Sequence, residues 1–250
     1  MYCPQLLTYV IRRGDTLYQL ARHYHTTVPH ILSLNPTVDP YQLPIGYPLL
    51  ICPGGQGPMG PGHLSPPACV NPAKEMGLIN DMRLKWSQHV YWTRMLLLSI
   101  AHRLGDLEAV TARLMQNPGD IAGIFAVYYG PEVARKIAAL LTEHLQIGSD
   151  LITALRDGQH AQADTLSRKW YENADKMAEA FSSINPHYEK QAMREMLYTH
   201  LKLTTQEVAM RLASHYLADI KAFDAVETEA LAMADMFSSG IRMQFPQMFC

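Results

Sequence analysis

Long apolar runs are absent from this sequence. The longest, Met95 to Ala101, falls far short of the roughly 20 residues that cross a bilayer as a helix, so no transmembrane span is expected. A surplus of charge is absent too. Lysine and arginine total 21 against 23 acidic residues, a formal net charge of -2, which gives no electrostatic reason to expect nucleic acid or an anionic membrane as partner. The N-terminus, MYCPQLLTYVIRRGD, lacks a basic segment followed by an apolar one and a small-residue cleavage site, so the usual secretion route is unsupported. Cysteine is scarce: Cys3, Cys52, Cys69 and Cys250 make no CxxC or Cys/His zinc spacing. A Cys3–Cys52 disulfide is geometrically conceivable, since the pair flanks the N-terminal segment, but reduced thiols are the default without a signal peptide. Nucleophile elbow, phosphate loop, dinucleotide fingerprint and catalytic Cys/His pattern are all missing. No catalytic residue is assigned, and the balance leans away from an enzyme.

What is present is the composition of a globular protein, 48% hydrophobic and 18% charged, in three regions of different character. Residues 1–52 mix β-branched segments with short helical patterns. Residues 53–75 read PGGQGPMGPGHLSPPACVNPAKE, too poor in large apolar groups to bury a core, and are expected to act as a linker. Residues 76–250 carry long helical periodicity: Met82, Trp86, His89, Leu96 and Ile100 recur at three- and four-residue steps.

In this last region Asn117-Pro118-Gly119, Gly130-Pro131, Asp157-Gly158 and Asn185-Pro186 punctuate the helices, with Asp106 and Asp120 as N-cap candidates and the last helix ending near Gly240. The expectation is an all-α bundle of about six helices, mostly about 20 to 27 residues long, in three antiparallel hairpins. The hairpins are internally duplicated. LLTEHLQIGSDLITAL (140–155) resembles MLYTHLKLTTQEVAMR (196–211), and MAEAFSS (177–183) resembles MADMFSS (233–239), both at an offset of 56 residues. A weaker third copy begins at WSQHVYWTRMLLLSI.

The N-terminal region reads strand, helix, helix, strand. Tyr9–Arg12 and Tyr47–Ile51 alternate like strands. Asp15 or Thr16 caps a helix through LYQLARHY, and Val28 to Leu34 form a second that ends at Asn35-Pro36. The segment YVIRRGDTLYQLARHYHTTVPHILSLNPTVDPYQLPIGYPLLI resembles the LysM family along its length. Gly14-Asp15-Thr16-Leu17, Leu20-Ala21, Leu34-Asn35-Pro36, Leu43, Gly46 and the closing aliphatic strand carry the match. His25 departs from it, standing where a glycine usually ends the first helix, and so does Cys52, where proline is common. The resemblance implies an α+β glycan-binding module for peptidoglycan or another N-acetylglucosamine polymer. It places the contacts on Gly14, Asp15, Thr16 and Leu17 facing Leu43, Pro44 and Ile45. An alternative confines Asp15 and Asn35 to turn and cap duty. A single module of this kind binds weakly.

His89, His144 and His200 occupy equivalent places in the three hairpin-opening helices, with mainly apolar neighbours at helical spacing. Two readings stand. Three matching inward histidines converge on a divalent transition metal or catalytic site, or duplication has copied a structural core histidine. Glu143, Asn173, Asp175, Glu207, Glu229 and Asp235 are polar residues able to complete such a cluster, or to cap and pair on helix surfaces.

RKWYENADKMAEAFSSINP, THLKLTT and YLADIKAFDAVETEALAMADMFSSGIRMQFPQMF, with the WSQHVYWTRM segment, resemble an uncharacterised helical family of endospore-forming Gram-positive bacteria. This resemblance implies a spore or envelope setting, reached from the mother-cell cytoplasm into cortex or coat, which accommodates the missing signal peptide. Two functions follow as expectations. The helical part is an interaction or oligomerisation module with homo-oligomer or spore-layer partners, or it is a metal-binding protein or enzyme that the LysM module localises.

Overall fold

The computed structural model describes residues 6–12, 15–36, 38, 43–54 and 71–250, and the chain divides into two compact units, residues 1–65 and 66–250. The predicted linker falls mostly outside the described residues. Its end does not: α3 begins at Pro72, so the helical part starts four residues before the expected boundary at 76. The cause is Asn71, whose Oδ1 accepts from the backbone N–H groups of Ala73 and Lys74 at 3.1 and 3.4 Å, with Pro72 in the first turn where its missing N–H costs nothing.

In the small unit the order is β1 (Leu7–Val10), α1 (Leu17–His23), α2 (Val28–Leu34) and β2 (Pro48–Ile51). The strands pair antiparallel, Leu7 opposite Ile51 and Val10 opposite Pro48. β1 therefore sits two residues earlier than the periodicity suggested. Beyond the ladder Ile11 stays tied to the approach to β2: its N–H donates to Tyr47 O at 3.0 Å and its carbonyl accepts from Gly46 N–H at 2.8 Å. Thr16 caps α1 in a reciprocal box with Gln19, both bonds 3.2 Å. Asn35 clamps the unit. Its amide donates to Ile31 O and Leu50 O, each 2.7 Å, and its Oδ1 accepts from Leu50 N–H at 2.8 Å, joining the end of α2 to β2. His25 adopts φ 51°, the left-handed conformation for which a glycine is the easier residue. The core is small: Ile11, Leu17, Leu20, Ala21, Ile31, Val38, Leu49 and Ile51. Cys52 is buried and disulfide-bonded, contrary to the expected reduced thiols; Cys3 and Cys69 lie outside the described residues.

The large unit contains α3 (Pro72–His102), α4 (Leu107–Leu114), α5 (Asn117–Arg156), α6 (His160–Ile184), α7 (Lys190–Leu212) and α8 (Tyr216–Gln244), closed by a 3-10 turn at Pro246–Phe249. Six helices are present among the described residues of this unit, but their lengths differ from expectation. α4 has 8 residues, while α5 runs for 40 across a kink at Gly130, where φ is 80° and ψ is 171°. Glycine reaches that backbone conformation without strain and Pro131 cannot continue the preceding hydrogen-bond ladder, so the helix changes direction there. Asn117-Pro118-Gly119 is not a break; Asn117 opens α5. α8 extends past Gly240 to Gln244.

α5 packs on α6, α7 on α8, and α3 on both α5 and α8. Equivalent residues of the duplicated hairpins meet inside the bundle: Phe181 and Phe237 have ring centroids 4.6 Å apart. Phe125 lies 5.4 and 5.5 Å from them, and Trp86 stacks on Phe237 at 5.6 Å. Each such pair adds about 0.5–1.5 kcal/mol to the burial of its rings. Tyr188 approaches α8 so closely that a Cβ at Gly240 would lie 2.0 Å from its ring, while its hydroxyl donates to Phe237 O at 2.6 Å.

Candidate glycan face and histidine centre

The glycan face expected in the small unit is only partly described, because Gly14 lies outside the described residues. Asp15 Oδ2 accepts from the Arg12 backbone N–H at 2.7 Å and from the Tyr9 hydroxyl at 2.8 Å. These bonds hold its carboxyl below the usual range, the Arg12 N–H contributing most. Thr16 is exposed, but its hydroxyl is engaged in the cap. Leu17 is buried in the core, so its side chain faces away from solvent, and half-buried Leu43 packs against that core. Pro44 and Ile45 are exposed, Ile45 at 67%. The Ile11 bonds to Gly46 and Tyr47 hold the residue just after β1 against the chain just before β2. Asn35 is spent on structure.

In the large unit, His89 on α3, His144 on α5 and His200 on α7 are all buried, and their ring centroids form a nearly equilateral triangle with edges of 5.8, 6.2 and 6.3 Å. One ring nitrogen from each lies within 4.8 Å of the others, making the only group of three or more metal-competent side chains among the described residues.

Each ring is held from behind by the second helix of its own hairpin. His89 Nδ1 meets Asn117 Oδ1 at 3.0 Å, His144 Nδ1 meets Asn173 Oδ1 at 3.1 Å, and His200 Nδ1 meets Glu229 Oε2 at 2.9 Å. The tautomers follow from the bonds behind these partners. Asn117 Nδ2 donates to Lys85 O at 2.9 Å, and Asn173 Nδ2 donates to Leu140 O at 3.1 Å and to Glu143 Oε2 at 2.9 Å. A carbonyl only accepts, so each amide nitrogen must face it, and each Oδ1 must face the imidazole as an acceptor. The proton therefore sits on Nδ1 in His89 and His144, and Glu229 takes the Nδ1 side of His200. In each ring Nε2 is the nitrogen left without a hydrogen bond, the one available to a ligand. A carbonyl, amide or carboxylate behind Nδ1–H is the arrangement that orients metal-bound imidazoles.

Electrostatics agree. Burial pushes His89 down to about 4, helped by the neighbouring His200, and burial chiefly, then His200 and His89, hold His144 well below the ordinary value. Both rings are neutral at pH 7, the form that ligates. Three imidazole nitrogens around a zinc-like ion at about 2.0–2.1 Å stand about 3.3–3.6 Å apart. The observed separation is up to 4.8 Å, so closing on an ion needs inward shifts of about 1 Å or less per ring.

Glu229 distinguishes the third hairpin. Asn173 and Glu229 are equivalent at the 56-residue offset, yet the acid cannot donate as Asn173 does, and its Oε1 is buried without a hydrogen-bond partner. With 11% of its side chain exposed, the carboxylate brings a negative charge into the bundle beside three imidazoles. That is costly unless a cation balances it.

Of the other polar residues singled out from sequence, Glu143 touches the centre through Asn173, while Asp175 pairs with Arg194 and Asp235 with Arg83 near the surface. Glu207 is buried in a separate ionic knot, where Arg94 bridges it, at 2.6 Å, to Asp219, which Arg211 also contacts. Burial raises the Glu207 carboxyl. Sequence reasoning missed Asn117, read as part of a break, and the Arg94–Asp219 pair. The available signal for Asn117 was its spacing of 28 residues from His89, close to the 29 that separate His144 from Asn173 and His200 from Glu229.

The sequence comparisons bear on the small unit alone. Residues 9–51 match the model of the LysM domain, so the protein carries a LysM domain, which supports binding of peptidoglycan or other N-acetylglucosamine polymers and association with a cell wall. No helix among the described residues is long and apolar enough to cross a membrane. No curated protein and no solved structure matches the chain.

Proposed function

We propose that this protein is a wall-tethered metalloprotein: the LysM domain holds it on glycan, and the helical unit binds one divalent transition-metal ion through Nε2 of His89, His144 and His200. The observation that carries the reading is the triangle of buried imidazoles, each fixed by an acceptor on Nδ1. A structural histidine needs one bond and no particular neighbour; three that turn their free nitrogens to one point meet the requirements of a ligand set. Neutral nitrogen donors favour zinc, copper, nickel or iron over magnesium or calcium.

On the glycan side, the sugar chain passes between Asp15–Leu17 and Leu43, Pro44 and Ile45, with Gly14 as the further contact that the family resemblance implies. Backbone groups meet the N-acetyl amide there, and Ile45 and Pro44 cover its methyl. The division into residues 1–52, a linker and a bundle separates the two tasks. The likeness of the helical unit to a family of endospore formers favours cortex or coat as the setting.

The test is metal analysis of the full chain after exposure to Zn²⁺ or Co²⁺ and removal of unbound ion. One equivalent per chain is expected, abolished in His144→Ala with the fold retained by circular dichroism. Equal metal content in wild type and His144→Ala would overturn the metal reading. Failure of the folded chain to sediment with insoluble peptidoglycan would overturn the glycan reading separately.

A further inference from the structure

The histidine triangle is not closed off. A narrow cavity of ≈ 20 Å³ adjoins it, lined by the three rings and by Thr93, Leu96, Leu145, Ile152 and Thr204 among others. That volume admits about one water-sized group. Large substrates, including a glycan chain, are excluded by size.

Thr93 is the unusual wall residue. Seven helical threonines of the bundle (Thr111, Thr153, Thr165, Thr199, Thr204, Thr205 and Thr228) donate their hydroxyls to the carbonyl four residues back. This is the ordinary way to satisfy such a group inside a helix. The Thr93 hydroxyl is buried and has no hydrogen-bond partner. It stands one helical turn after His89 on α3, so hydroxyl and ring share a face.

Charge and ligand number point the same way. Among the described residues the ligand group ends at three histidines, one short of the four donors a zinc-like ion takes. A divalent ion beside the single carboxylate of Glu229 leaves one uncompensated positive charge in a buried site.

Resting on the metal reading above, we infer that the ion keeps an exchangeable fourth position. Water, hydroxide or a small monoanion fills it from the cavity, and the Thr93 hydroxyl orients that ligand. A monoanion brings the buried charges to neutrality. The aliphatic walls keep bulk water out and limit the occupant to a few atoms. The structure thus has the form of a reactive metal centre, three protein ligands and an open position, rather than a closed structural one. Thr93 is a positioning residue, touching the exchangeable ligand and not the ion.

The test uses the full chain loaded with one equivalent of Co²⁺, followed by its visible absorption during titration with azide. A saturable spectral change is expected. In Thr93→Val, which keeps the shape and loses the hydroxyl, the metal remains at one equivalent while azide binds several-fold to about tenfold more weakly, the scale of one hydrogen bond. Thr93→Ser restores the wild-type affinity, and it serves in place of the valine variant for checking the fold. A bound Co²⁺ whose spectrum azide leaves unchanged would overturn the open position while leaving the metal reading intact. Equal azide affinity in wild type and Thr93→Val would overturn the role of Thr93. No uptake of Co²⁺ would overturn the metal reading and this inference with it.

Discussion

The two units use buried polar groups in opposite ways. In the small unit the buried Asn35, the half-buried Asp15 and the exposed Thr16 satisfy groups within a few residues or, for Asn35, from the end of α2 to β2, and their role ends in local geometry. In the large unit Asn117, Asn173 and Glu229 reach across helices to three imidazoles, and each histidine still has a nitrogen unspent. The polar groups just named are spent in the first case. In the second, capacity is left over on three rings that face one another, whereas in the small unit the buried His30, with neither ring nitrogen hydrogen-bonded, stands alone. Leftover capacity that converges from three helices on one point is the mark of a site.

The sharpest way to break this contrast is to disturb one unit and watch the other. Asp219→Ala removes the carboxylate held between Arg94 and Arg211 and leaves buried cationic charge uncompensated. A loss of about 3–5 kcal/mol is expected in the helical unit, read from chemical denaturation followed by circular dichroism at 222 nm, with peptidoglycan retention unchanged.

Acidification comes next. His89 takes a proton at about 4 in the folded chain, against its ordinary 6.5. Between these values the unfolded chain binds a proton that the folded one refuses, so stability is full above 6.5 and falls as pH drops toward 4. The expected loss from this residue is on the order of 3 kcal/mol, with a further loss of the same sign from His144. Denaturation midpoints measured from pH 7 to pH 4 check it. Asp15, held low, loses its contribution only at more acidic pH, below its ordinary 3.8.

Asn35→Ala strips three bonds from the small unit and leaves Ile31 O and both backbone groups of Leu50 without that partner. About 2–3 kcal/mol is expected, seen as weakened peptidoglycan retention at elevated temperature while metal content stays at wild-type level. Smallest is Thr16→Ala, which removes the cap of α1 at a cost of about 1 kcal/mol. Wild-type retention at 25 °C with a lower temperature of release is the expected result.

Legibility in the sequence followed the same divide. The small unit could be read because local chemistry determines it: Asp15-Thr16, Asn35-Pro36 and the aliphatic strand announce caps and ends close to where they occur. Helix lengths in the large unit could not. Asn117-Pro118-Gly119 has the composition of a break, yet Pro118 fits a first helical turn and Asn117 turns inward to His89, a fact decided by packing. The repeat offset made the equivalence of His144 and His200 visible. The partner of His89 stayed hidden because the first hairpin has lost the register of the other two. Arg94 and Asp219 were hidden for another reason: charged residues on helices are usually solvated, and only the assembled bundle shows Asp219 buried and Arg94 largely covered beside it.

One consequence of the kink in α5 concerns mechanics. Asn117, which steadies His89, and His144 ride on the two arms of a single bent rod whose elbow is Gly130. The spacing between two corners of the triangle is therefore geared to one backbone angle remote from either ring. Gly130→Ala, strained at φ 80° yet meeting no neighbouring atom within 4 Å, would retune the grip of the centre from a distance, as turning a screw on a clamp adjusts jaws it never touches.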